Sequence, residues 1–349
     1  MYINTGNSFR MVIVLSITAF LCTACEAGNS LKERHVTAAH SRTPWFTPCQ
    51  NSEGIYFKSG FDAVMETRAS SDGQQVTFEG ESGMKPCEIS ASRRLSKDFS
   101  FGRSELQFQG GNEVERWARV VPAPDNPSNR VLAFMIKHPN VREADKNPSK
   151  GRVQMNVYKN DGIKRVKMSV RLYLDADFNI VKSFPDGIKW LTLSEWWNNA
   201  GWTKESFPFR ISVNLIKEQA GINSPFLLSA HAQTLNTRTK KWSNLIWEET
   251  NRSFVMPIER WVTLEYDYQE GNASTGYFKL TATVDGGESA QVFNVRNYTH
   301  HPDDPKPDGL RDFNPLKLYT SQKLINYVNS KGGAIKVYWD DLDIQAYAN

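Results

Sequence analysis

Apolar and polar residues alternate with a period of two through much of this chain, and a segment patterned that way buries one face only as a β-strand. Val153, Met155 and Val157 interleave with Arg152, Gln154, Asn156 and Tyr158. Met168, Val170, Leu172 and Leu174 interleave with Lys167, Ser169, Arg171 and Tyr173. The same pattern predicts strands at Phe209–Leu215, Leu227–Thr234, Trp261–Tyr268, Tyr277–Val284, Gln291–Val295, Leu316–Thr320 and Ile335–Ile344, parted by Gly, Pro, Asn and Asp turns. One segment reads as a helix, near 322–329. Ser321 is its N-cap, Leu324, Ile325 and Val328 share one face, and Gly332 lies just past its end. Many strands, one short helix and no long internal repeat predict an all-β jelly-roll sandwich of two antiparallel sheets. The Pro- and Asp-rich run from His300 to Pro315 reads as a long surface loop, because strand-like sequence continues on both sides.

The 349 residues carry 42 Lys and Arg against 38 Asp and Glu, a net charge of +4. That excludes the strongly basic class of nucleic-acid binders. Arg10 precedes the apolar run Met11–Cys22, which suits a signal-peptide core and is too short to cross a bilayer as a helix. Residues 1–24 are therefore expected to be a signal peptide and the protein to be exported, to the outer membrane, the cell surface or the periplasm. Cys22-Thr23-Ala24-Cys25 resembles a bacterial lipobox, which implies a lipid anchor at Cys25 as the one membrane contact; ordinary cleavage near Ala24 or Ala27 is the alternative. Residues 25–48 read as a polar tether and 49–349 as one domain, expected to be monomeric. Cys49 and Cys87 would remain in a compartment that permits disulfides, where a single bridge is expected and two free thiols are the alternative.

Chemistry-bearing residues fall on strand faces. In Gly102-Arg103-Ser104-Glu105-Leu106-Gln107-Phe108, Arg103, Glu105 and Gln107 share one face, which needs water or a polar ligand. A guanidinium there would bind a sugar carboxylate through two hydrogen bonds, while an ordinary solvated Arg–Glu face is the plain alternative. Ser229, His231 and Gln233 share a face of another strand, and Lys317 and Tyr319 share a third. The Arg-Ser-Glu-Leu string resembles the Arg-[Ser/Thr]-Glu-Leu strand of the alginate and heparin lyases, jelly-roll polysaccharide lyases of the concanavalin A-like superfamily. His231 and Gln233 resemble the Gln and His that alginate lyases carry two residues apart, here in reversed order. Tyr319 follows Lys317 by two residues where that group has four, which aligns Ser321 with the family's tyrosine.

The resemblance implies a polysaccharide substrate containing uronate, cleaved by β-elimination. Arg103 and Gln233 would neutralise the carboxylate, His231 would abstract the α-proton and Tyr319 would protonate the leaving oxygen. Glu105, Gln107, Trp196, Trp197, Asn199 and Lys317 are candidate substrate-binding residues. Adjacent strand positions oppose each other, so one of Trp196 and Trp197 is expected in the core and the other in the cleft, with Trp202 a further platform candidate. Asp62, Asp340 and Asp341 resemble the paired chain ends that hold a structural Ca²⁺ in many concanavalin A-like domains; a solvated acidic turn is the alternative. His300, His301, Asp303, Asp304 and Asp308 are expected to be solvated. Two other functions fit the same fold: non-catalytic glycan capture, and retaining glycoside hydrolysis through Glu265 and Glu270, which match an E-x-D-x-x-E spacing.

Overall fold

A computed structural model describes residues 49–51, 54–61, 65–69, 75–80, 105–107, 114–139, 150–157, 163–199, 206–236, 238–239, 241–310 and 312–347. The chain runs through β1 (Cys49–Asn51), β2 (Gly54–Ser59), β3 (Met65–Ala69), β4 (Gln75–Gly80) and β5 (Glu105–Gln107). It continues through β6 (Arg116–Pro122), β7 (Arg130–Ile136), β8 (Lys150–Asn156), β9 (Arg165–Leu174) and the short helix α1 (Phe178–Lys182). Next come β10 (Thr192–Asn199), β11 (Phe209–Ile216), β12 (Leu227–Asn236), β13 (Lys241–Asn251) and β14 (Trp261–Gln269). The last elements are β15 (Tyr277–Val284), β16 (Ser289–Arg296), β17 (Asp312–Asn314), β18 (Lys317–Ser321), α2 (Gln322–Ser330) and β19 (Ile335–Tyr347).

Among the described residues the strands form two antiparallel sheets that pack as a jelly-roll sandwich. One sheet has nine strands in the order β1-β2-β19-β9-β14-β15-β16, with β6 and β7 pairing beside β19. The other has ten in the order β13-β12-β11-β10-β18-β8-β5-β4-β3, with β17 paired to β10. The two ends of the domain meet: the second strand, β2, pairs with the last, β19, Phe57 opposite Ile344.

Alternation decides what faces inward. Ile211, Val213 and Leu215 of β11 are buried in the core, while Arg210, Ser212 and Asn214 take the opposite face. On β9 the core positions are Val166, Met168, Val170 and Leu172. The centre of the sandwich is aromatic. Trp196 is fully buried and its ring lies 5.6 Å from Tyr266, 5.8 Å from Tyr268, 5.6 Å from Phe278 and 4.8 Å from Phe313.

The helix read near 322–329 is α2, and Ser321 caps it by accepting Leu324 N at 3.4 Å. Gly332, at φ +83°, ends it. A second helix, α1, was not foreseen, because five residues are too few to show a 3.6-residue period. The run from His300 to Pro315 is not all loop: Asp312–Asn314 pairs with β10 as β17. Gly309 sits at φ +97° with Ile163 backbone atoms 2.5 Å from where a Cβ would stand, so this stretch is pinned against the domain.

Truncating Trp196 to Ala removes the ring on which four aromatic side chains converge. It is expected to cost about 3–5 kcal/mol of unfolding free energy, read by urea denaturation.

Candidate functional site

The ten-stranded sheet turns a polar face away from the core, and the strand register fixes its order. Gln233 of β12 stands opposite Arg210 of β11, and Arg210 opposite Trp197 of β10. One rung along, His231 faces Ser212 and Ser212 faces Glu195, which in turn stands opposite Asn314 of β17. A third rung runs from Ser229 through Asn214 and Thr192 to Tyr319 of β18 and Arg152 of β8. Register shifts in β10 flank Ser194 and Asn199, and the first lets Thr192 and Glu195, three apart, serve one face.

A buried carboxylate occupies the middle. Glu195 is 2% exposed. Its Oε1 accepts Arg210 Nη1 at 3.3 Å and the Ser212 hydroxyl at 3.4 Å, and its Oε2 accepts the ammonium of Lys317. Lys317 also donates to Asn314 Oδ1 at 3.2 Å. Burial alone would raise the Glu195 pKa, but the charges of Lys317 and then Arg210 outweigh it and hold the carboxyl below its ordinary value. Burial pulls Lys317 down to about 7 despite Glu195, with Arg152 adding to the depression.

On one side of this pair, Arg210 Nη2 donates to Gln233 Oε1 at 2.9 Å. The guanidinium lies 4.9 Å from the Trp242 ring and 5.5 Å from Trp197. Asn214 Oδ1 accepts the Thr192 hydroxyl at 2.8 Å, and its Nδ2 donates to His231 Nδ1 at 3.4 Å. That orientation makes Nδ1 the acceptor and leaves the imidazole proton on Nε2. Burial, then Arg210, pulls His231 down to about 4, so the ring is neutral at pH 7. On the other side, Tyr319 tilts against Trp190 with ring centroids 5.0 Å apart. Its ring has Lys317 at 5.2 Å, Arg152 at 5.5 Å and Lys150 at 5.6 Å. Arg152, Tyr319, Arg210, His231 and Gln233 are all half-buried, within reach of a ligand.

His231, Gln233, Lys317 and Tyr319 thus share one face. Register puts Glu105 opposite Asn156 and Gln107 opposite Gln154, which aligns them with the same rungs. Arg103, Asp62, Cys87 and Trp202 lie outside the described residues, as do residues 1–48. His231 and Tyr319 do not converge: two strands lie between theirs, about 14 Å of sheet at roughly 4.8 Å per step, too far to share one proton.

Other expectations are corrected. Trp196 points into the core and cannot bind substrate, because its neighbour Trp197 takes the polar face of the same strand. Trp197 is itself only 3% exposed, covered by Trp242 at 5.1 Å, so the half-buried ring on this face is Trp242. Lys317 is 1% exposed and spends its ammonium on Glu195 and Asn314 rather than on a ligand. Asn199 ties a loop, donating to Ser206 O at 2.7 Å.

Glu265 and Glu270 are an odd number of positions apart and do not form a carboxylate pair. Glu265 is exposed on the outer face of the nine-stranded sheet, whereas Glu270 is 8% exposed and accepts Asn198 Nδ2 at 2.6 Å and Gly309 N at 2.8 Å. Asp340 accepts Asn129 Nδ2 at 3.0 Å and Asp341 N at 2.8 Å, and lies 3.7 Å from Arg171. Burial, then Asp341, raises its carboxyl to about 6. Oxygens already committed to N–H donors beside a guanidinium do not fit a Ca²⁺ cage of six to eight oxygens. Among the described residues no three His, Cys, Asp or Glu converge on one point.

Glu195, Arg210, Arg152, Trp190 and Trp242 were missed. The first two are a Glu and an Arg on successive strands, brought together with Trp197 by a register that is not visible in the sequence.

No family model and no curated protein sequence matches the chain. Among solved structures it is similar to an endo-β-1,4-glucuronan lyase of the fungus Trichoderma reesei, at 14% identity, with 68% of this chain and 89% of that one covered and a TM-score of 0.44. It is similar to a marine alginate lyase of Aplysia kurodai, at 11% identity, 69% and 90% coverage and a TM-score of 0.42. The catalytic domain of a family 131 glycoside hydrolase from Coprinopsis cinerea follows, at 13% identity, 68% and 82% coverage and a TM-score of 0.36. These are likenesses of fold.

His231 generates a prediction about acid stability. Its folded pKa of about 4 lies below the unfolded value of about 6.5, so the unfolded state binds the extra proton between them. The associated stability, roughly 3 kcal/mol at most, is present above pH 6.5 and lost as pH falls toward 4. Urea unfolding across this range should show a shallower loss for His231→Gln than for the wild type.

Proposed function

We propose that this protein binds and cleaves an extracellular polysaccharide containing uronate, acting as a polysaccharide lyase on the polar face of its ten-stranded sheet. The observation that carries the reading is one face of half-buried groups, Arg152, Tyr319, Arg210, His231 and Gln233, set around a buried ion pair. Guanidinium groups suit carboxylates, the amide and imidazole suit hydroxyls, and the Trp242 ring suits a pyranose face. Export, with lipidation at Cys25, belongs to the same proposal, because a polymer of this kind is met outside the cell.

β-Elimination breaks the C–H bond next to the carboxylate and the C–O bond β to it. A C=C bond forms and the proton ends on the leaving oxygen, with no water consumed. The step needs a neutralised carboxylate and a group that moves the proton. Tyr319 is the proton-transfer group best placed for it. Arg152 faces it across the β8–β18 ladder, and Lys317, Arg152 and Lys150 all lie within 5.6 Å of its ring centroid, where their charge attracts an acidic sugar. Arg210, two strands away, and Gln233 and His231, three strands away, bind a neighbouring sugar. His231, neutral and donating from Nε2, serves there as a hydrogen-bond donor rather than as the base, since a group held near 4 is a weak base at neutral pH.

That last observation also favours a second reading, glycan capture without cleavage, in which the same face binds and no proton moves.

The test is ultraviolet absorbance of the conjugated product while residues 26–349 are incubated with alginate, glucuronan, heparin-type, ulvan and pectic chains. A rise on one polymer, lowered about 10²–10⁴-fold in Tyr319→Phe, is the expected result. Retardation of a polymer in an affinity gel with no absorbance on any of them selects capture. New reducing ends without absorbance, or no interaction with any acidic polymer, overturn the proposal.

A further inference from the structure

Glu195 is placed to organise the face rather than to touch a sugar. Both carboxylate oxygens are taken, each by a different neighbouring strand: Oε1 by Arg210 and Ser212 on β11, Oε2 by Lys317 on β18. Beyond Arg210 lie Gln233 and, one rung along on the same strand, His231; beyond Lys317 lie Tyr319 and Arg152. Asn314 of β17 closes the ring, accepting from Lys317 at 3.2 Å and from Trp197 Nε1 at 3.4 Å, and donating to Asn156 Oδ1 at 2.9 Å. One carboxylate on β10 therefore joins the two halves of the site.

We propose that Glu195 is the positioning residue of this face: it fixes the Arg210 guanidinium and the Lys317 ammonium on either side of the central strand, and so sets the spacing at which the two halves meet an acidic oligosaccharide. The ligand named here rests on the acidic-glycan reading above; the positioning geometry does not.

The electrostatics separate this role from simple charge balance. The charged groups facing Lys317 are Glu195 from β10, Arg210 from β11 and Arg152 from β8. Glu195 is the one anion among them, and it opposes the loss of the Lys317 proton that burial favours. With Gln in its place, the buried ammonium has no counter-ion and gives up its proton rather than stay charged. Glu195, Lys317 and Arg210 then sum to +1 in both proteins near pH 6. A mere charge count predicts no change in affinity for an acidic ligand. Loss of two charge-assisted hydrogen bonds that orient Arg210 and Lys317 predicts a substantial one.

The experiment compares wild type, Glu195→Gln and Glu195→Asp with the exposed-turn control Glu288→Gln, each checked for native circular dichroism. Lysine ¹³Cε signals are followed against pH by NMR, and a glucuronate oligosaccharide and an alginate oligosaccharide are titrated at pH 6. In the wild type, one lysine signal absent from Lys317→Met should titrate near neutrality. In Glu195→Gln its midpoint should fall and affinity drop about tenfold or more, with Glu195→Asp between the two and Glu288→Gln unchanged. An unmoved lysine midpoint, or an affinity change no larger than that of Glu288→Gln, overturns the proposal. If Glu195→Gln loses its native signature, Glu195→Asp decides alone, because it keeps the charge and moves it by one methylene. If the wild type binds neither oligosaccharide, the acidic-glycan reading fails, and the lysine titration still decides whether Glu195 governs Lys317.

Discussion

A carboxylate buried in the middle of a sheet is tolerated only where opposite charge and hydrogen-bond donors meet it in place, since removing it from water costs several kcal/mol. Glu195 meets that condition through Lys317, Arg210 and Ser212, contributed by strands on both sides of β10. Much else follows from it. The strands must hold their register to within one residue, because a slip of one would turn Arg210 or Lys317 into the apolar core and leave Glu195 uncompensated. The shift beside Ser194 belongs to the same solution, as it brings Thr192 and Glu195 to one face while Trp196 stays in the aromatic centre. Such clusters add little net stability compared with an apolar replacement. What this one supplies is a fixed arrangement of two cations.

The outer face of the other sheet shows what a face without that constraint looks like. Register sets Lys167, Asp267 and Lys279 side by side, and a groove there is lined by Ser169, Glu265, Thr281 and Asp343. Opposite charges on adjacent strands in water contribute only tenths of a kcal/mol to about one, and they need no exact partner geometry. The contrast explains why a search for acidic pairs by spacing alone led to Glu265, an exposed member of a solvated ladder.

Legibility in the sequence tracked how local the determining interaction is. β9, β11 and β15 were readable because one face of each is wet or polar and the other lies in the core, so the alternation is written along the strand itself. β7 was not, since six consecutive buried residues in Arg130–Ile136 erase the period. β10 hid for a related reason: all eight of its residues are buried, Glu195 and Asn198 among them, so polarity no longer marked the surface. On β13 two register shifts against β12 break the alternation, and Trp242 went unnoticed at the edge of the site. His231, Gln233, Lys317 and Tyr319 are legible as candidates one strand at a time, while the residue joining them depends on pairings across β10 that only the folded register supplies.

The distances within the site bear on chemistry more than the fold does, because a fold leaves activity to its side chains. His231 and Tyr319 stand on strands separated by two others, so a mechanism in which one hands a proton to the other through a single sugar position does not fit this sheet. The proposed mechanism, in which Tyr319 works beside its neighbouring cations and His231 would hold the adjoining sugar as a neutral donor, does. Burial and then Arg210 keep the His231 imidazole from taking a positive charge, which suits a donor and not a base. Two halves of one face share a ligand only if something rigid fixes their separation. A carboxylate bonded to both supplies that rigidity at the one strand they have in common.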